Sequence, residues 1–383
     1  MSTRRRACAS HALGVIIAVA IVCVSIALVS ASPATQQKPP AAPKLDKDQL
    51  QNAQALKAVL DAVQSGQAAP SDFAVAIESY SFFRTAAGQT YVPFTLTVDG
   101  KALTDPSVAL MFRVVSRNAK PAGDLSGLRD ETGDARAKLD AAKKGAVAPS
   151  AYDDLEFTAL KPAEAPAPAG TTPPAGTTQA APVVRMSRAF QVNGGEYDVY
   201  LALKERNPSD KKKPKVAICK QTITVPDFNG PDMATSSVVV SDKIGPLAKP
   251  LTPQQQRENP YTIGQLEIVP KVGTEFAKTQ ELNVFFQIYN PGLDAAKKPD
   301  VLVEFTFVQK QPDGTEKKIA NSEPQILNGN TLPPQFDITK HQLVGGSAWP
   351  LEKFKTGTFR VDIKITDKVS GKILVRSADF AVS

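Results

Sequence analysis

A glycine-led stretch of alternating apolar residues occurs twice in this chain. Gly194-Gly195-Glu196-Tyr197-Asp198-Val199-Tyr200-Leu201-Ala202-Leu203-Lys204-Glu205 returns near the C-terminus as Thr356-Gly357-Thr358-Phe359-Arg360-Val361-Asp362-Ile363-Lys364-Ile365-Thr366-Asp367. Tyr197, Val199, Leu201 and Leu203 fall opposite Phe359, Val361, Ile363 and Ile365. Successive side chains of a strand point to opposite faces, so each copy has one apolar face and one mostly polar face. A duplicated half-buried strand predicts a duplicated β domain and specifies no reaction.

Further strands repeat in the same order. Tyr91 to Val98 runs into Asp99-Gly100, a turn signal, and Val108 to Val115 follows it. Their counterparts are Val284 to Ile288, with Gly292 matching Gly100, and Val301 to Val308. The offset between copies is 192 residues from Val92 to Val284 and 193 from Val108 to Val301, but only 162 from Tyr197 to Phe359. The first copy therefore holds an insert, and two adjoining Pro-Ala-Gly-Thr-Thr phrases within 168–179 mark it. With nothing larger than alanine to bury there, 162–182 is expected to be disordered. A helix-compatible stretch, 131–144, precedes it within a second insert, 124–150. Each copy closes on one more alternating strand, Lys220 to Val225 and Arg376 to Val382, the latter across a Ser370-Gly371 hairpin. Many short strands without intervening long helices predict a mainly β protein of two tandem antiparallel sandwiches, 73–228 and 261–383. Residues 229–260 read as a linker with one short strand at Ser237 to Ser241, whose alternative place is as the first edge strand of the second sandwich.

The N-terminus is set apart. Arg4-Arg5-Arg6, the apolar run Leu13 to Val29 and small residues to Ala31 follow the order of a secretory signal peptide, placing the chain in the periplasm or outside the cell. The run exceeds a usual signal core, so an uncleaved anchor over 1–31 is the alternative. A Pro/Ala-rich tether, 32–45, leads to a helix at 46–66. There Leu50, Leu56, Val59, Leu60 and Val63 recur at helical spacing after Asp46 and Asp48. The helix is read as packing on its own domain, with partner binding as the other reading. Removing the signal's three arginines lowers the formal charge from +7 to +4. The longest basic run, Lys211-Lys212-Lys213, sits between prolines without interleaved aromatics, so nucleic acid is excluded as a partner.

The chain is poor in catalytic groups. Cys8 and Cys23 fall in the presumed signal, leaving Cys219 as a small buried residue and no internal disulfide. His341 is the one histidine outside the signal, and it lacks the setting of a catalytic triad or a zinc site. No glycine-rich phosphate loop is present, and no motif calls for a cofactor or metal. Asp153-Asp154 with Glu156 is the densest acidic cluster. It lacks the spacing of a calcium loop and reads as a solvated strand start. Trp349, after Gly345-Gly346 in an expected loop, reads first as a packing residue, with an exposed binding contact as its alternative.

The element order resembles immunoglobulin-like sandwich domains over about 73–228 and 236–383. Pro260-Tyr261-Thr262-Ile263-Gly264, Leu266 to Pro270 and Leu282 to Asn290 are similar to the β-rich domain of exported bacterial GWxTD-family proteins. The name-giving motif is absent, since Trp349 follows Ala348, and no functional residue carries over. The expectation is an exported, non-enzymatic interaction or structural module of the cell envelope, its partner an envelope protein or a polysaccharide. A carbohydrate-binding module is the alternative, and a hydrolase with paired carboxylates the third reading.

Overall fold

The computed structural model describes residues 45–118, 150–160, 183–206 and 213–383. The signal or anchor segment, all but the last residue of the tether, 131–144, 162–182 and Lys211-Lys212 lie outside the described residues. Among those described, no helix is long and apolar enough to cross a membrane.

Helix α1 (Lys47–Gln64) begins at Asp46, whose side chain accepts from the Gln49 amide while Gln49 reaches back to the Asp46 amide. That reciprocal cap satisfies amides the helix cannot pair itself. Eight strands follow: β1 (Val75–Tyr80), β2 (Phe83–Arg84), β3 (Thr90–Asp99), β4 (Ser107–Ser116), β5 (Ser150–Ala159), β6 (Val183–Val192), β7 (Gly195–Glu205) and β8 (Val216–Val225). In one sheet β1 and β2 pair with one side of β3 and β6 with the other; the second sheet runs β5-β4-β7-β8, all antiparallel. Their facing sides close over Phe94, Phe112, Phe190, Leu201 and neighbours. Asp99-Gly100 is followed by a short 3-10 turn that carries the chain across to the second sheet, rather than by a hairpin.

The C-terminal sandwich repeats this plan. Its strands are β9 (Ala234–Thr235), β10 (Val239–Pro246), β11 (Thr262–Ile263), β12 (Leu266–Pro270), β13 (Glu275–Phe276), β14 (Glu281–Tyr289), β15 (Asp300–Lys310), β16 (Glu316–Asn321), β17 (Gln325–Asn328), β18 (Leu343–Pro350), β19 (Gly357–Asp367) and β20 (Ile373–Val382), with helix α2 (Pro253–Glu258) between β10 and β11. One sheet runs β11-β12-β10-β14-β18 with β9 beside β14; the other runs β13-β20-β19-β15-β16 with β17 beside β15. Pairs β3/β14, β4/β15, β6/β18, β7/β19 and β8/β20 hold equivalent places, an immunoglobulin-like division of strands between sheets. Residues 229–260 are not a linker. Strand β10 lies inside its sheet between β12 and β14, β9 pairs with Tyr289 and Ile288, and Met233 reaches the core.

The duplicated strands occupy the same central position. Gly195 (φ 154°) and Gly357 (φ 146°) open them in backbone conformations that disfavour side chains. Tyr197, Val199, Leu201 and Leu203 face one core; Phe359, Val361, Ile363 and Ile365 face the other. Tyr197 also donates from Oη to the Asn193 carbonyl (2.9 Å), pinning the corner before the strand; Phe359 fills that place without a hydroxyl. The opposite faces diverge for a physical reason. Tyr200 and Ala202 are buried because Leu56 and Leu60 of α1 dock there, with Ala109 and Met111 beside them. Over their β19 counterparts, Asp362 and Lys364, no helix packs among the described residues. Leu50, in the first turn of α1, points to solvent.

Both duplicated strands end on a buried carboxylate. Glu205 Oε1 accepts from the Thr104 amide (2.6 Å), the Thr104 hydroxyl and the Asp105 amide (3.0 Å). Asp367 Oδ2 accepts from the Gly292 amide (2.7 Å) and the Ser370 hydroxyl, while Oδ1 accepts from the Val369 amide (3.0 Å). Each carboxylate thus holds the loop where the chain crosses between sheets. Burial pushes both carboxyls up, but these hydrogen bonds outweigh it and hold each below its ordinary value. A depressed native pKa adds stability above the unfolded pKa and loses it as pH falls through the native one. Glu205→Gln and Asp367→Asn are each expected to cost about 2 kcal/mol at pH 7 in urea unfolding. The deficit against wild type narrows under acid; an equal deficit at both pH values would show that the charge contributes nothing.

Candidate functional site

Elements of both sandwiches meet through the outer face of the β10-β14 sheet. Phe83 from β2 and Tyr91 from β3 pack with Val239, Tyr261, Ile268 and Phe285. Arg84 fixes the contact. Its amide donates to Tyr289 Oη (2.9 Å), its guanidinium lies 4.6 Å from the centre of the Tyr289 ring, and Nη1 donates to Asn290 Oδ1 (2.7 Å). Asn290, at φ 52°, in turn donates from Nδ2 to the Phe228 and Gly230 carbonyls. Phe82 and Ser237 exchange two further bonds, one from the Phe82 amide to Ser237 Oγ (2.9 Å) and one from the Ser237 amide to the Phe82 carbonyl (3.0 Å). A residue in the left-handed region persists only where its surroundings over-determine it, and Arg84, Phe228 and Gly230 do so for Asn290.

Two concavities flank this junction. The smaller, about 160 Å³, is lined by Tyr91, Tyr152, Asp154, Glu156, Arg188 and Arg257 among others. Strand alternation divides the acidic cluster of β5 between two faces. Asp153 turns toward α1 and meets Arg113, which also holds Asp61. Glu156 takes both arms of the buried Arg188 at 2.6 Å, and Asp154 meets Arg257 of α2 at 3.3 Å. Burial pushes the Asp154 carboxyl up and the Tyr152 hydroxyl up to about 12. The cluster is therefore a set of three arginine pairs, not a solvated strand start. Asp154 and Glu156 share a strand face, yet each is engaged by a guanidinium that a general acid would first have to release. Among the described residues, no group of three or more His, Cys, Asp or Glu is placed to hold a metal ion.

The larger concavity is an open groove of about 560 Å³. It is lined by Tyr80, Phe82, Phe228, Ser236 and Ser237, together with Arg376 and Ser377 of β20. Along this stretch β20 is an unpaired sheet edge. Strand β13 pairs only with Ala381 and Val382, so no described strand covers Ile373–Asp379 on that side. Ile373 is 55% and Val375 61% exposed there, the latter the most exposed large apolar side chain among the described residues.

The sequence candidates lie elsewhere. Trp349 is 2% exposed, in β18 rather than a loop, with its ring 5.0 Å from both Phe305 and Phe307. Gly345 and Gly346 are strand residues required by close approach: a Cβ on the first would lie 2.4 Å from the Phe286 ring, and on the second 2.1 Å from the Val284 carbonyl oxygen. His341 Nδ1 accepts from the Asp337 amide (2.9 Å), closing its own loop. Cys219 is half-buried beside the N-terminal core, and burial pushes its thiol up. Nothing in the sequence marked Arg84 with Asn290, or the β20 edge, because both depend on which segments the fold brings together.

No protein-family model matches the chain, and no curated protein matches it. Among solved structures, trypsin-activated alpha-2-macroglobulin from Escherichia coli is 9% identical over 82% of this chain and 17% of its own length, with a TM-score of 0.21. HBP35 of Porphyromonas gingivalis is 13% identical over 85% of this chain and 68% of its own, at 0.23. Likenesses at these scores carry no argument about function.

Arg84→Ala removes the cation over Tyr289 and the bond to Asn290, at an expected cost of about 2 kcal/mol or more. Urea unfolding followed by Trp349 fluorescence, which reports the C-terminal core, should separate from unfolding followed by far-UV circular dichroism. Coincident curves in the variant would show that the two cores stay coupled without Arg84.

Proposed function

We propose that this chain is an exported, non-enzymatic module of the cell envelope that holds a partner protein by accepting an extended segment along the β20 edge. The carrying observation is that this edge is left open and apolar while others are blunted. On β18, Gln325 donates to the Val344 carbonyl and accepts from the Gly346 amide, using up backbone groups that a new strand would need. The start of β8 is covered by 70–72, through the Ser71–Ala217 bridge and the bond from the Ile218 amide to the Pro70 carbonyl. Strand β16 exposes Lys317 and Lys318, the charged side chains that discourage edge pairing. Strand addition draws its affinity from main-chain hydrogen bonds along such an edge. Export rests on the order of basic, apolar and small residues at the N-terminus. The carbohydrate reading needs an exposed aromatic platform. Trp349 is buried, and each of the seven tyrosines is buried or half-buried.

The test is capture from envelope extract with wild-type chain and with Val375→Lys, a change at an exposed position that leaves the cores intact. A protein retained by wild type and lost with Val375→Lys, at an unchanged urea midpoint, is the expected result. Retention of the same protein by both chains would place the contact elsewhere, and retention of polysaccharide alone would sink the proposal.

A further inference from the structure

Within the strand-addition reading above, we infer that the groove at β20 selects an acidic partner segment, one in which β-branched apolar residues alternate with a carboxylate that Arg376 receives. Among the described residues, every arginine but two has a carboxylate partner. One of the two, Arg84, is held by Tyr289 and Asn290. The other is Arg376. Its Nε donates to Thr235 Oγ1 of β9 (2.9 Å) and its Nη1 to the Val375 carbonyl (2.9 Å). These two bonds fix the plane of the guanidinium, which lines the groove, while Nη2 has no protein partner among the described residues. A planar, positioned guanidinium with a donor to spare is suited to a carboxylate. The groove's own carboxylate, Asp227, is turned onto the Asn229 amide (2.9 Å) and side chain (2.8 Å). The nearby Lys372 and Lys310 are already paired with Asp232 and Asp379.

The geometry of β20 determines the rest of the pattern. The Ala381 amide donates to Thr274 on the side away from β19 (2.8 Å). Backbone groups of alternate residues point the same way, so the amides of Val375, Ser377 and Asp379 face that open side as well. A strand added there sets one row of side chains beside Ile373 and Val375 and the other toward Arg376 and the groove. The first row is matched by β-branched apolar residues and the second by an acid. A basic residue in the second row meets an unneutralised guanidinium and is rejected.

The experiment uses the full chain and three blocked peptides, Val-Thr-Val-Xaa-Val-Thr-Val with Glu, Gln or Lys at Xaa. Affinity is read by fluorescence anisotropy, and the site by hydrogen-exchange protection of the Val375 to Asp379 amides. The Glu peptide is expected to bind about tenfold tighter than the Gln peptide, the scale of one charge-assisted hydrogen-bonded pair. Arg376→Gln should bring that ratio to near one without weakening the Gln peptide, and Arg376→Lys should keep part of the preference. Equal affinity for Glu and Gln peptides, with β20 protected by both, overturns the acidic selection and leaves strand addition standing. Absence of protection with all three overturns both readings.

Discussion

A carboxylate sealed beneath a loop must have its hydrogen bonds supplied by that loop, and this constraint organises both halves of the molecule. Glu205 and Asp367 close the same central strand. Each also accepts from a backbone amide in the segment that carries the chain from one sheet to the other, Thr104 in one case and Gly292 in the other. Without those loop donors, a buried carboxylate would stand unpaired at the crossing, a penalty comparable to a lost hydrogen bond or more. The crossing places β4 beside β7 and β15 beside β19, so the alternation of the repeated strand faces a filled core in each sandwich.

Once the cores are closed, the outer faces and edges decide what the protein can offer. Helix α1 covers the face of the β5-β4-β7-β8 sheet, with Arg113 buried between Asp61 and Asp153. The face of the β10-β14 sheet is consumed by Phe83 and Tyr91, and Arg84 locks that contact through Tyr289 and Asn290. The β20 edge remains, with exposed Ile373 and Val375 beside a groove to which both sandwiches contribute. The junction is therefore part of the site: Tyr80 and Phe82 come from the first sandwich, Ser236 and Arg376 from the second.

Much of the fold was legible because period-two alternation survives in sequence wherever one strand face is buried. The matches of β7 with β19 and β8 with β20 rest on it. Strands β4 and β14 are buried on both faces, and the matches of β3 with β14 and β4 with β15 rest on strand order and nearly equal offsets. The β6/β18 match was not legible: Val183–Val192 carries two arginines and Leu343–Pro350 two adjoining glycines, so neither resembles the other. Gly345-Gly346 suggested a loop because the same residue serves turns and close packing, and only Phe286 and Val284 show which. The same expected loop made Trp349 the candidate for an exposed contact against its favoured packing role, and its ring belongs to the core. Within 229–260 only Ser237 to Ser241 reads as a strand, since prolines and polar residues hide the rest of what pairs in the second sandwich.

The sequence alone determined the local and periodic content: a β duplication, the alternating core strands, a capped amphipathic helix, and the scarcity of catalytic groups. These follow from neighbours a few residues apart, where spacing and side-chain chemistry suffice. Only the tertiary structure decided which carboxylate meets which arginine, which sheet faces are covered and which edge stays open. Those outcomes join residues far apart in the chain, such as Arg84 with Asn290 and Arg376 with Thr235. The duplicated strand carries no trace of the candidate site, because its partner-facing groups are the ones it buries.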